Sequence, residues 1–347
     1  VVFFVLVALV VSCLVARLIT PIALRIGLAD QPGGRKQHEG VIPLTGGIGM
    51  FAGFAMAALT SGLIVGATLA LVVALGLLVV GGAADDMHDI TARSKIFIQL
   101  IAALFMTSWA GVYVSYLGNL FGFGPVNLYH WAIPFSVVCA LGVMNAINML
   151  DGLDGSAGGT ALVAASWLAY AALAQGLGAT ALLLILLCAA IAGFLLWNLR
   201  LPPLRDQARV FMGDAGSMTL GLALCWFSID VTQGAGRTLP PIVCVWILAV
   251  PLLDMARVMF LRIRRRADVF DADRAHLHHL LLARGMAPHL ATLVMIAASA
   301  LTGALGLGAW HLGVNEKYLT YAFLALLAGI LWLAYVGERR ERLQHRA

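Results

Sequence analysis

Val1 to Ala16, VVFFVLVALVVSCLVA, runs sixteen residues without a charge, and its reading decides what kind of chain follows. A cleaved secretory signal and a first membrane span both open this way. No basic segment precedes the stretch and no A-x-A-like cleavage site follows it. Apolar segments of similar length recur to the end of the sequence, so the stretch reads as the first of many spans. The sequence starts with Val rather than Met, and residues ahead of it are expected. Composition agrees: 61% of the 347 residues are hydrophobic, only 11% are charged, and the mean hydropathy is +0.94. A soluble domain carries about 25% charged residues. Cys13, Cys139, Cys188, Cys225 and Cys244 all sit in apolar segments without paired or metal-like spacing, and read as small buried hydrophobes.

A bilayer core of about 30 Å takes about 20 apolar residues per helix. On that measure the sequence predicts an all-α polytopic membrane protein, one domain over 1–347, with about eleven spans. They fall near 1–20, 43–62, 64–83, 96–115, 131–149, 158–175, 178–197, 216–233, 239–260, 290–311 and 318–336, with ten as the alternative where short linkers fuse neighbours. Lys and Arg give the orientation. Eighteen of the 22 basic residues fall in loops on the side of the C-terminus; Arg237 and Lys317 lie opposite, and Arg17 and Arg257 near span ends. The positive-inside bias then makes that side cytoplasmic and the N-terminus external. The net charge of +5 is explained by topology, and a nucleic-acid partner is excluded. Membrane lipids remain as partners, with anionic head groups expected at the Arg262–Arg266 run.

The acidic residues gather on the same face, near 24–42, 84–95, 150–157, 198–215 and 261–289. Positive-inside bias does not require this. In the first loop Arg35, Lys36 and His38 stand on a Gly/Pro-rich backbone suited to a phosphate or nucleotide. In the second, Asp85-Asp86 end an apolar helix, a costly placement that a hard divalent ion shared with substrate phosphates would relieve. In the third, Asn145, Asn148 and Asp151 recur every three residues and would share one helical stripe, followed by Asp154 and two glycines that admit a ligand. Asn198 closes the seventh span as a further binding candidate. The fourth loop sets Asp214 among Gly213, Gly216 and Ser217 at a helix start, an arrangement for a metal bridging carboxylate and phosphate. The fifth carries Arg262 and, further on, His276, His278 and His279, donors suited to phosphates. Asp254 stands apart, inside the ninth span, with Arg257 as its nearest helical partner.

The motifs RKQHEGVIPLTGGIG, DDMHD, NAINMLDGLDG, VFMGDAGS and DRAHLHH, in this order and over essentially the whole chain, resemble those of the polyprenyl-phosphate N-acetylhexosamine-1-phosphate transferases. The His-Leu-His-His form is similar to the WecA-like, GlcNAc-1-phosphate branch rather than the peptidoglycan branch, with its three consecutive histidines. The resemblance implies transfer of a sugar-1-phosphate from a UDP-sugar to undecaprenyl phosphate, with release of UMP and dependence on Mg2+ or Mn2+. UDP-GlcNAc comes first as the donor, with another UDP-N-acetylhexosamine as the alternative. It implies a bacterial inner-membrane enzyme, cytoplasmic in its active site, opening a cell-surface glycan pathway such as O-antigen synthesis. A homodimer is left open. By the same resemblance Asp85 and Asp86 engage metal and lipid phosphate, Asn145, Asn148, Asp151 and Asp154 form the catalytic stretch, and Asp214 is the principal metal ligand. Arg262, His276, His278 and His279 match groups that bind phosphates. Some branches carry a basic residue close after the acidic pair; here the nearest are Arg93 and Lys95, to which no role is assigned.

Direct in-line attack by a lipid phosphate oxygen is favoured, because a phosphate monoester is already largely ionised at pH 7. An aspartyl-phosphate route is the alternative. A transporter, the rival class, would place carboxylates near the midplane and show related halves; here they cluster at one edge, only Asp254 lies deeper, and no clear repeat is seen. A CDP-alcohol phosphotransferase would need a motif that DGLDGSAGG does not continue.

Overall fold

The computed structural model describes residues 1–31, 40–200, 202, 207–234, 236–266 and 276–344, the last five by backbone alone. Every apolar segment read from the sequence carries helix. The chain runs α1 (Val2–Leu18), α2 (Thr20–Ile26), α3 (Gly46–Thr60), α4 (Ala67–His88), α5 (Ala92–Leu104), α6 (Ala132–Leu150), α7 (Ser156–Ala174) and α8 (Gly178–Asn198). It continues through α9 (Gly213–Asp230), α10 (Pro241–Ile247), α11 (Ala249–Arg265), α12 (Leu277–Ala283), α13 (Pro288–His311) and α14 (Glu316–Gln344). Six of these are long and apolar enough to cross a bilayer, or up to eight if two bent pairs each count as one span. The protein is therefore an all-α, multi-pass membrane protein.

Two predicted spans depart from straight helices. The segment predicted as 239–260 is broken at Leu248, with α10 and α11 bent by 77°. Segment 96–115 stops early: α5 passes into a π-helical turn, Phe105–Trp109, and the chain is then irregular up to Tyr129.

The bundle is organised around α9, in which every residue from Ala215 to Ile229 is buried. A helix apolar on all sides belongs at the centre of a bundle. Glycines let its neighbours close in. A Cβ on Gly221 would overlap the Met144 backbone of α6, and one on Gly82 of α4 would overlap Asp214 and Ala215. One on Gly47 of α3 would overlap Ala215 and Gly216, all well inside the 3.0 Å that real Cβ atoms do not breach. Close approach through small residues is how helices associate where burial from water supplies little drive.

At the same end, a two-stranded ladder, β1 (Ala29–Asp30) with β2 (Ile42–Pro43), ties together the base of the first loop. Backbone bonds then stitch β2 and the start of α3 to the segment before α9: Phe211 N–H donates to Pro43 O at 2.9 Å, Gly46 N–H to Phe211 O at 2.9 Å, and Gly47 N–H to Met212 O at 3.0 Å. At the other end of α11, Arg264 and Arg265 donate to Glu338 of α14 at 3.1 and 3.2 Å, and Arg264 lies over Tyr335. Two members of the run assigned to lipid head groups are thus committed to a carboxylate inside the protein.

Candidate active site

Four helices deliver polar side chains to a single cluster. Asp85 comes from the last turn of α4, Lys95 from the first turn of α5, Asn148 from the last turn of α6, and Asp214 from the first turn of α9. Lys95 Nζ reaches Asp85 Oδ2 at 3.0 Å and also binds Asp214 Oδ2. Asn148 Nδ2 donates to the other Asp214 oxygen and to Ser217 Oγ at 2.9 Å. Asp85 Oδ1 accepts from Ile90 N–H at 3.0 Å, which closes α4 and turns the chain toward Lys95.

Asp86 faces another way. Its carboxylate accepts the Asp214 N–H at 2.9 Å and the Ala215 N–H at 3.4 Å, capping α9 from a different helix. The free amides of a helix start attract negative charge, so α4 supplies the cap that α9 lacks in its own sequence. Gly213, with φ 68°, makes the turn ahead of it, and a Cβ there would overlap Asp86.

Asp151 and Asp154 separate in role. Asp151 lies just past the end of α6. Desolvation, then the charges of Asp214, Asp86 and Asp154, push its carboxyl up to about 8. Asp154 turns away from the cluster: it accepts from Arg200 Nε at 2.6 Å and from Ala208 N–H at 3.0 Å, fastening the segment after α8. The structure thus makes Asp154 a brace for that segment.

Asn145 and Asn198 also take structural partners. Asn145 Nδ2 donates to Gln99 Oε1 at 3.0 Å and to Leu141 O at 2.8 Å, one turn deeper than Asn148. The expected stripe of Asn145, Asn148 and Asp151 therefore delivers only Asn148 to the carboxylates. Asn198 accepts from Gly155 N–H at 2.7 Å and donates to Val210 O at 2.9 Å, pinning the third loop to the fourth. Asn198→Ala orphans two buried backbone groups, each worth about 1–3 kcal/mol. A clear drop in melting temperature of the detergent-solubilised protein is the expected result.

His278 packs on Gly152 of the third loop, where an added Cβ would overlap its ring. Its Nδ1 is buried and has no hydrogen-bond partner among the described residues. Desolvation, then His279 and His276, lower its pKa to about 4, which favours the neutral ring. His279 contacts it at 4.2 Å between ring centroids, and Arg262 is buried in the last turn of α11. Arg35, Lys36 and His38 lie outside the described residues.

Lys95 and Ser217 were missed by sequence reasoning as members of the cluster. The available signal was Lys95 itself: a lysine in the opening turn of an apolar helix, soon after an acidic pair.

Asp85 and Asp214 are the donors that could hold a divalent ion. Both are hard oxygen ligands converging on one positive charge, the Lys95 ammonium, and one or two carboxylates are what Mg2+ takes from a protein that also offers it substrate phosphates. Among the described residues, no three His, Cys, Asp or Glu side chains form an all-protein cage. The arrangement suits a shared site in which substrate completes the coordination.

Known proteins are similar to this chain over most of its length. Residues 68–232, which span the four-helix cluster, match the sequence model of glycosyl transferase family 4. An undecaprenyl-phosphate alpha-N-acetylglucosaminyl 1-phosphate transferase of Yersinia pestis is 34% identical over 90% of this chain and 84% of its own length. The protein of the same name from Escherichia coli strain K12 is 34% identical over 82% of this chain and 77% of its own. A probable undecaprenyl-phosphate N-acetylglucosaminyl 1-phosphate transferase of Bacillus subtilis is 32% identical over 83% of this chain and 80% of its own. With the cluster built from the segments these proteins share, the chain belongs to glycosyl transferase family 4, as one of its polyprenyl-phosphate sugar-1-phosphate transferases.

Proposed function

We propose that this enzyme transfers N-acetylglucosamine-1-phosphate from UDP-GlcNAc to undecaprenyl phosphate, releasing UMP, at the cytoplasmic face of a bacterial inner membrane. The observation that carries the reading is the convergence of Asp85, Lys95, Asn148 and Asp214 at one end of the bundle. The names of the relatives supply the acceptor and the sugar phosphate. An eleven-span topology with the N-terminus outside accords with the charge distribution, and places the cluster where lipid phosphate and cytosolic nucleotide can both arrive.

The chemistry asks for alignment and charge control more than for acid or base catalysis. A phosphate oxygen of the lipid attacks the β-phosphorus of the sugar nucleotide. The bond from that phosphorus to the bridging oxygen breaks, and UMP departs with the electron pair. Two anions must meet, and Lys95 stands between the carboxylates to offset their charge. Asn148 holds Asp214 in one rotamer, and Asp86 holds the helix start from which Asp214 projects. Burial and the charges of Asp214, Asp86 and Asp154 raise the Asp151 carboxyl, which disfavours a charged nucleophile there and favours the direct route. Bound by Asp85 and Asp214, Mg2+ would neutralise the diphosphate.

The purified protein, given undecaprenyl phosphate, Mg2+ and a panel of UDP-sugars, should release UMP with UDP-GlcNAc, and chelation by EDTA should abolish release. UDP as product would overturn the reading in favour of an ordinary glycosyl transfer. Release with a different UDP-N-acetylhexosamine would change the sugar, and no nucleotide product at all would return the chain to the transporter class. A phosphorylated enzyme isolated after incubation with UDP-GlcNAc alone would rule out the direct route.

A further inference from the structure

Asp254 is a deeply buried carboxylate to which the transfer chemistry gives no task. It sits within α11 with its side chain only 3% exposed, and a buried carboxylate in a membrane helix persists only where partners surround it. Three groups face it. From its own helix, Arg257 Nη2 lies 3.6 Å from Oδ1. From α12, the Leu277 N–H donates to the same Oδ1 at 2.8 Å, so Asp254 caps that short helix. From the residue before α12, His276 Nδ1 stands 3.1 Å from Oδ2.

The last contact has a chemical consequence. An ionised carboxylate only accepts, so the Nδ1 facing it must carry the proton, and Nε2 becomes the nitrogen left for other work. The His276 ring then lies parallel to His278, with centroids 5.6 Å apart and planes within 5°. His278 in turn rests on Gly152, beside Asp151. One line of contacts therefore runs from the interior of α11 to the loop of the active site.

We propose that Asp254 is a positioning residue for the transfer reaction: it fixes the Nδ1–H form and orientation of His276 and seats the histidine helix against the 151–154 loop. The kinetic part of this proposal rests on the transferase reading; the structural part does not.

Two measurements test it. In the first, 15N-histidine spectra are recorded on the full-length protein in detergent, with the His276 signals assigned from their loss in His276→Asn. Wild-type His276 should be protonated at Nδ1, and a neutral ring protonated only at Nε2 would overturn the proposal. In the second, a double-mutant cycle measures UMP release. Asp254→Asn keeps an oxygen for Leu277 but cannot serve two donors as the carboxylate does. It should lower kcat/KM at least tenfold in the wild-type background and less than twofold in the His276→Asn background. Losses that multiply would show Asp254 acting independently of His276 and would overturn the proposal. If Asp254→Asn does not fold, the wild-type spectrum alone decides. If the wild-type protein releases no UMP, the transferase reading falls, while the spectrum still tests the pairing.

Discussion

Asp214→Ala is expected to lower UMP release by roughly a thousandfold or more, with little change in melting temperature. Removing one well-placed electrostatic group from an acyl-transfer site already costs about 10²–10³ in rate, and Asp214 serves more than one purpose. Its two oxygens take Lys95 and Asn148, and with Asp85 it makes the pair that would hold the ion. The alanine variant leaves Lys95 with Asp85 alone and Asn148 with Ser217. The backbone amide of residue 214 still meets Asp86, so the cap and the helix survive. Stability and turnover should therefore part company. Measuring both on the same preparation checks this, and an Asp214→Ala protein with full turnover would remove Asp214 from the chemistry.

Gly82→Ala should fail differently, losing stability and activity together. The added methyl would sit against the Ala215 backbone, far inside ordinary contact, and a helix start cannot yield as a flexible side chain can. Overpacking in a close-packed interior costs typically about 1–3 kcal/mol, and a shift of about 1 Å between reacting groups can cost about 100-fold in rate. The displaced part is the turn that carries Asp214. A lower melting temperature with at least a hundredfold loss of UMP release is the expected result. Gly142→Ala, on a face with open space, is the matched control and should be silent.

The membrane class, the helical segments and the carboxylates that end or open them were legible in the sequence because each depends on local composition. Charge-free stretches mark helices wherever they pack, and a carboxylate at the end of such a stretch stands out against its surroundings. Partner choice was not legible. Spacing put Asn145 and Asn148 on one stripe, but the depth of Gln99 on α5 decides that Asn145 bonds inside the bundle. Asp154 looks like Asp151 in sequence, and only the position of Arg200 beyond α8 decides that it also braces that segment. Lys95 went unassigned because its two carboxylates come from α4 and α9, a meeting that depends on tertiary contact. The break at Leu248 was hidden by a segment apolar on both sides of it.

The cap that Asp86 places on α9 also bears on biosynthesis. Its acceptor is in the polypeptide long before the amides it receives have been made. A nascent chain that has emerged only as far as α8 already displays Asp85, Asp86, Lys95 and Asn148, yet it has no helix start to complete the constellation. Catalytic competence therefore cannot precede the arrival of α9, whose amides find Asp86 and whose first turn brings Asp214 to Lys95 and Asn148. Until then Asp86 has no helix start to cap, and the pair Asp85 and Asp214 does not exist.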